Sequence, residues 1–349
     1  MGVTDCKESL QSLIDIVHKY CCTWRLKANV SKSAVMVFAK ECVGGDWKWG
    51  EYSLPKVSSY TYLGVDFASN GAWDSHVKKV CVNGRKKLNQ LRGVLRNRDI
   101  NLTARRLLLL SVVRPSIEYG SAIWDCNKNQ GSALESIILG GAKQTLGCSS
   151  KTCNEAVRGD MGLESLNSRR DGAKLKWWYR LCVMGGDRYP RQLFCQNWEV
   201  KPRRGRQRKM WSKVVDNIFE SLSLNKEEVL EDIDKGNITW KGFLAFVGES
   251  ISEREEREFR KGLDSKVKLH VYRTFVSKPE FKQYLRGVCD AATRLLFKFR
   301  SGTHGLNEEL GRHRGRDGKV DCSLCGSECE SIAHVLWECP AYTDVRESF

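Results

Sequence analysis

The sequence predicts an α+β protein that is predominantly α-helical, with a small antiparallel β portion near the N-terminus. From residue 74 onward, apolar residues recur mostly at three- and four-residue spacing, which is the period of an amphipathic helix. Short apolar or alternating runs between residues 34 and 62, bounded by glycine and proline, favour strands. A chain of 349 residues with 41% hydrophobic and 29% charged residues is long enough for two or three folded domains.

The first element is predicted to be an amphipathic helix. Asp5, followed by Glu8 three residues later, resembles a capping pair at its start. Its apolar face is formed by Leu10, Leu13, Ile14, Val17, Cys21 and Trp24.

Three short strands are predicted to follow this helix. Residues 34–38 form a continuous apolar run that suits a buried strand. Residues 47–49 and 60–62 alternate as half-exposed strands do, and glycines 44 and 45 and Pro55 mark the turns.

The rest of the chain is predicted to be helical. Lys78, Lys79, Arg85, Lys86 and Lys87 surround the apolar face of the first of these helices, which starts near Asp74. Thr103 is expected to cap the next helix, and Pro115 is expected to end or kink it. Further helices are predicted at residues 134–146, 169–184, 211–224, 225–230, 252–261 and 281–300.

A set of cysteines and a histidine near the C-terminus has the spacing of a metal site. Cys322 and Cys325 are separated by two residues, His334 follows after eight more, and Cys339 after another four. Two thiolates at this spacing grip one ion from a tight turn, and residues 331–338 can form a short helix that carries the histidine inward. The four residues predict a structural zinc ion in a hairpin-plus-helix finger, with Cys329 as a competitor of His334.

The charge of the chain predicts a polyanionic partner. The formal net charge is +16, and such an excess favours RNA or DNA because each neutralised phosphate releases counterions. The densest basic run is a linker or exposed loop at residues 201–209, in which Arg203, Arg204, Arg206, Arg208 and Lys209 suit phosphate contact. Residues 174–180 also mix cations with aromatic rings, although Trp178 fits a buried helix face better than a binding surface.

Several functional classes are not indicated. Neither a Walker loop nor a dinucleotide-binding glycine motif is present, and the chain contains no adjacent pair of aspartates to hold two catalytic metal ions. No run of about eighteen apolar residues suggests a membrane span, and residues 1–7 lack the order of a secretory signal. Fifteen scattered cysteines favour reduced thiols, so an intracellular protein of the nucleus or cytoplasm is expected.

The order of the motifs resembles the end of a reverse transcriptase of the non-LTR (LINE-type) retrotransposons. Residues 29–33, Asn-Val-Ser-Lys-Ser, resemble the polymerase motif that follows the catalytic aspartates, and residues 62–65, Tyr-Leu-Gly-Val, resemble the primer-grip hairpin. The helices from Asp74 to about Gly147 look like the thumb and its connection. Residues 204–211 resemble the basic stretch found after the thumb, with Gln207 in place of the usual proline, and the terminal Cys-Cys-His-Cys set matches the zinc knuckle of these polyproteins.

The resemblance implies a division of the chain into four segments. Residues 1–68 would end the palm, 69–150 form thumb-like helices, 151–300 a helical connection that contains the basic linker, and 301–349 the zinc-knuckle region. Lys32 would match a lysine proposed to assist the departure of pyrophosphate, and Leu63 and Gly64 would lie at the primer grip.

The chain is accordingly expected to bind nucleic acid but to lack polymerase activity alone. It begins almost where the Asp-Asp motif of the family should just have ended, so Mg²⁺ would bind only if an N-terminal reverse-transcriptase segment completed the enzyme. The alternative is a host protein that retains the fold as a protein-interaction or zinc-binding module.

Overall fold

The computed structural model describes residues 1–38, 45–196, 210–287, 290–314 and 320–348. These residues are mostly helical, with a small antiparallel β portion near the N-terminus, as the sequence predicts. The strands are β1 (Trp47–Trp49), β2 (Tyr52–Leu54), β3 (Ser59–Tyr62) and β4 (Val65–Ala68).

One α-helix precedes the strands in the described part of the chain, and the other helices follow them. The α-helices are α1 (Lys7–Thr23), α2 (Asp74–Arg96), α3 (Leu102–Leu108), α4 (Arg114–Glu118), α5 (Lys128–Leu146), α6 (Asn154–Met161), α7 (Leu166–Val183), α8 (Tyr189–Cys195), α9 (Trp211–Ser221), α10 (Lys226–Asp234), α11 (Trp240–Asp264), α12 (Tyr272–Phe275), α13 (Ala291–Arg300), α14 (Asn307–Arg314) and α15 (Thr343–Glu347). Short 3₁₀ turns lie at Val30–Lys32, Val267–Leu269, Gln283–Leu285 and Pro340–Tyr342, and π-helical turns at Leu109–Val113 and His334–Glu338.

The described residues form two compact units. The N-terminal unit contains Met1–Val80 and Trp124–Asn127, and the C-terminal unit contains Cys81–Ile123, Lys128–Val200 and Met210–Phe349. The division into four segments that the resemblance implies stays a prediction.

The N-terminal unit contains two separate β-hairpins. β1 pairs with β2 and β3 pairs with β4, both antiparallel, which confirms the strands predicted at residues 47–49 and 60–62. The strand predicted at residues 34–38 is wrong, because Val35 makes only an isolated parallel bridge with Lys56. Val35 is nevertheless buried beside Trp47 and Leu54, and Pro55 has no N–H with which to extend the pairing.

The predicted first helix is confirmed, but its cap differs. The side chain of Cys6, not that of Asp5, accepts a hydrogen bond from the Ser9 backbone N–H at the start of α1. The sequence pattern could not separate these two neighbouring polar residues, because either can satisfy a first-turn amide.

A buried histidine joins the second hairpin to the start of α2. His76 is 2% exposed, and its Nδ1 accepts a hydrogen bond of 3.1 Å from the Asp66 backbone N–H. Asp66 also accepts a hydrogen bond from the Lys79 ammonium at 2.5 Å. The rings of Trp73 and Trp124 pack edge-on against the imidazole, which burial therefore keeps neutral.

This histidine should make the N-terminal unit less stable in acid. Burial lowers the pKa of His76 below its ordinary value of 6.5, so the folded state binds the proton less tightly than the unfolded state does. The contribution of His76 to the free energy of unfolding is therefore complete at pH values well above 6.5. It is lost as the pH falls through 6.5 toward the lower pKa of the folded state. An NMR titration of the imidazole should give a pKa below 6.5, and His76→Gln should flatten the decline in stability from about pH 7.5 to about pH 5.5. A pKa at or above the ordinary value would contradict this prediction.

Most helices predicted in the C-terminal unit are present with different ends, but the helix predicted at residues 281–300 begins only at Ala291, after a 3₁₀ turn. Asn101, not Thr103, caps α3, since the Asn101 side chain accepts a hydrogen bond from the Thr103 N–H. Before Pro115 the helix widens into the π turn and then restarts as α4, because proline cannot donate the bond that an unbroken helix needs. The predicted ending near Gly147 is confirmed, with that glycine at φ +66°.

One core cluster of the C-terminal unit explains the aromatic residues of α7. Trp178 is fully buried, and its ring centroid lies 4.9 Å from that of Phe219 and 6.1 Å from that of Phe243. Lys176 and Arg180 remain exposed on the other side of the helix. Core packing, which the sequence favours for Trp178, is confirmed.

A buried carboxylate on α6 connects this helix to α12, to α13 and to the 3₁₀ turn between them. Asp160 is 0% exposed and accepts two hydrogen bonds of 2.8 Å from the Arg300 guanidinium. It also accepts hydrogen bonds from the hydroxyls of Tyr272 at 2.8 Å and Tyr284 at 2.6 Å. Both oxygens of the carboxylate thus accept hydrogen bonds, which a buried charged group requires.

Candidate metal centre

The first two predicted ligands, Cys322 and Cys325, lie in a tight loop that is closed by backbone hydrogen bonds. The Gly326 N–H donates to the Cys322 carbonyl at 2.9 Å, and the Cys322 N–H donates to the Ser327 carbonyl at 2.8 Å. Gly326 adopts φ +73°, which a residue with a side chain rarely does. The loop therefore presents the sulfurs of Cys322 and Cys325 to the same side.

The other two ligands lie at the two ends of one helical turn. The Ser331 side chain accepts a hydrogen bond of 3.0 Å from the His334 N–H, and the Cys339 N–H donates to the His334 carbonyl at 2.6 Å. Pro340 then ends the turn. The short helix predicted at residues 331–338 is confirmed, although most of it is π-helical.

The four predicted ligand residues converge on one point. Their ligand atoms all lie within 4.8 Å of one another. Cys322 Sγ is 3.9 Å from Cys339 Sγ, and Cys325 Sγ is 3.3 Å from His334 Nε2. In a tetrahedral zinc site with Zn–S bonds of about 2.3 Å, two sulfurs are about 3.8 Å apart, so the group has the size to hold such an ion.

The surroundings of the sulfurs favour metal binding unequally. Backbone hydrogen bonds from Cys325 and Leu324 lower the pKa of the Cys322 thiol to about 7, which favours the thiolate that binds a metal. Burial raises the pKa of the Cys339 thiol, which a bound cation would counteract. Cys322, His334 and Cys339 are buried and Cys325 is half-buried, whereas Cys329 is exposed and outside this group of four.

A second layer of contacts supports the ligands. With Nε2 facing Cys325, the other imidazole nitrogen of His334 faces the Glu338 carboxylate at 3.8 Å. The Arg346 guanidinium donates to the Cys339 carbonyl at 2.6 Å and holds α15 against this turn. Oriented ligands of this kind are typical of metal sites, so the cluster fits an ion such as zinc.

Of the residues predicted to bind nucleic acid, the described part of the chain contains Leu63 and Gly64. Leu63 and Gly64 form the two-residue turn between β3 and β4, both with positive φ, and Leu63 is 74% exposed. Lys32 is exposed in the 3₁₀ turn that the Asn29 side chain caps. The predicted basic contacts lie outside the described residues: Arg203, Arg204, Arg206, Arg208 and Lys209.

A basic stripe on α2 is a further candidate for nucleic-acid contact, although no sequence motif indicates a binding role for it. Arg85, Asn89, Arg92 and Arg96 follow at helical spacings of four, three and four residues and are all exposed. The stripe spans about 16 Å along the helix axis at 1.5 Å per residue. The signal in the sequence is the absence of any Asp or Glu from residue 75 to residue 98.

Comparison with known proteins yields no relative: no family model matches this chain, and no curated protein or solved structure matches it significantly. Within the described residues, no helix is both long enough and apolar enough to cross a membrane.

Proposed function

We propose that this chain is a nucleic-acid-binding region, similar to the part of a non-LTR retrotransposon polymerase that follows the catalytic aspartates. It carries one structural zinc ion at Cys322, Cys325, His334 and Cys339. With four protein ligands and no open position, the zinc would stabilise the fold instead of activating water. The chain contains no Asp-Asp pair, so it would bind template or primer without extending it.

The observation that carries the proposal is the basic stripe on α2. Its three arginines lie in a stretch without acidic residues, whereas the exposed Arg257 and Arg260 of α11 each pair with a glutamate one turn away. Within the described residues these guanidinium groups make no ion pair, and such groups along one helix side suit the phosphates of a nucleic-acid backbone. The formal net charge of +16 adds attraction at longer range.

The test is a salt titration of RNA binding. Arg85→Gln/Arg92→Gln/Arg96→Gln should weaken binding of single-stranded RNA roughly tenfold or more at about 50 mM salt and make the dependence of log K on log salt shallower by about 2. The matched control is Arg257→Gln/Arg260→Gln, which removes two paired cations and should leave binding within about twofold. Equal affinity and slope in the stripe variant and the unchanged protein would refute the proposal.

A further inference from the structure

The charge of the segment around the metal cluster is opposite to that of the chain as a whole. Residues 320–348 contain six carboxylates, at Asp321, Glu328, Glu330, Glu338, Asp344 and Glu347. Apart from His334, Arg346 is the one basic residue among residues 320–348. Its guanidinium is half-buried and donates to the carbonyls of Val335 and Cys339, so it contributes little positive charge to the surface.

Two large apolar side chains are exposed on the same segment. Leu336 is 41% exposed and Trp337 is 70% exposed, and both follow His334 in its helical turn. The histidine points inward to the cluster and is buried, whereas Trp337, in the same π turn, faces solvent. The side chain of Glu338, the next residue, is 67% exposed.

This surface has the properties of an interaction anchor. Tryptophan contributes a large contact area with few rotatable bonds, and such residues dominate the binding energy of protein interfaces. The turn that holds Trp337 is fixed by the Ser331 cap and by the Cys339 to His334 hydrogen bond, so little conformational entropy is lost on binding.

The surrounding charge determines which partner fits. Residues 320–348 are acidic overall, and the exposed Glu338 follows Trp337 directly in the chain. Phosphates would be repelled from this segment, which disfavours nucleic acid here even though Trp337 could stack on a base. A positively charged protein segment would gain both the apolar contact and electrostatic attraction. We propose that the face formed by Leu336, Trp337 and the neighbouring carboxylates of residues 320–348 binds a basic amphipathic segment of a partner protein.

The test uses the zinc-loaded full chain and fluorescence anisotropy. A fluorescein-labelled amphipathic peptide of lysine and leucine should bind, and the same peptide with glutamate in place of lysine should not. Trp337→Ala should weaken binding of the basic peptide about tenfold, and Asp344→Asn/Glu347→Gln should weaken it and reduce its salt dependence. Tyr189→Ala is the matched control, since Tyr189 is 80% exposed on α8, and it should bind normally.

Three outcomes would overturn this proposal. The first is equal affinity of Trp337→Ala and the unchanged protein for the basic peptide, with one zinc per chain in both. The second is a loss of single-stranded RNA binding in Trp337→Ala, which would identify the face as a nucleic-acid surface. The third is self-association of the chain that Trp337→Ala abolishes, because a second copy would then be the occupant. The proposal is independent of the α2 stripe, whose variant should still bind the basic peptide.

Discussion

Cys322→Ser is expected to abolish stoichiometric zinc binding. Cys322 lies in the closed loop within 4.8 Å of the other ligand atoms, and a serine hydroxyl is a poor zinc ligand at neutral pH. The zinc content measured by elemental analysis should fall from one zinc per chain to nearly none. A structural zinc site contributes roughly 10–16 kcal/mol of apparent binding energy, so residues 320–348 should also lose their protection from hydrogen exchange.

The control for this experiment is another cysteine of the same loop. Cys329→Ser changes an exposed thiol outside the group of four and should retain the zinc and the fold. Zinc retained in Cys322→Ser, or lost in Cys329→Ser, would show that the ligand set is different.

Asp160→Ala is expected to cause a large loss of stability in the C-terminal unit. The substitution leaves the Arg300 guanidinium without the carboxylate that accepts two of its hydrogen bonds. It also removes the acceptor of the Tyr284 hydroxyl and leaves the Tyr272 hydroxyl only the longer contact with the Ala156 carbonyl at 3.3 Å. Removing one partner of a buried ion pair costs about 3–5 kcal/mol, because the other charge stays desolvated. Urea denaturation followed by circular dichroism should show a fall of this size in the free energy of unfolding.

An exposed carboxylate provides the comparison. Glu231 pairs with Lys235 on α10, with both side chains more than half exposed, and Glu231→Ala should cost at most about 1 kcal/mol. Similar losses in the two variants would mean that the Asp160 network does not hold α6 and α13 together.

Helix positions could be predicted from the sequence better than helix ends. The apolar spacing from Leu10 to Trp24 predicts α1, because that period places apolar residues on one side of a helix, although none of them is fully buried. The caps depend on which neighbouring side chain reaches a free amide, and Cys6 and Asn101 do so in place of the predicted Asp5 and Thr103. A local pattern cannot decide between such neighbours.

Strand pairing was harder to predict than strand composition. Residues 47–49 and 60–62 pair with neighbours a few residues away, and the turn at Leu63 and Gly64 brings the second hairpin together. The apolar run at residues 34–38 has no such local partner and forms a single bridge. A strand requires hydrogen-bonding partners as well as apolar residues, and a single run does not reveal these.

By itself, the sequence determined the helical class of this protein, its basic excess and the four residues of its candidate metal cluster. These follow from local spacing and from composition, since ligands two to eight residues apart in a short loop and turn have few ways to meet. Only the tertiary structure decided that Trp337 is exposed, and that Asp160 meets a guanidinium 140 residues away. Burial and long-range pairing depend on how distant segments pack, and one-dimensional patterns do not contain that information.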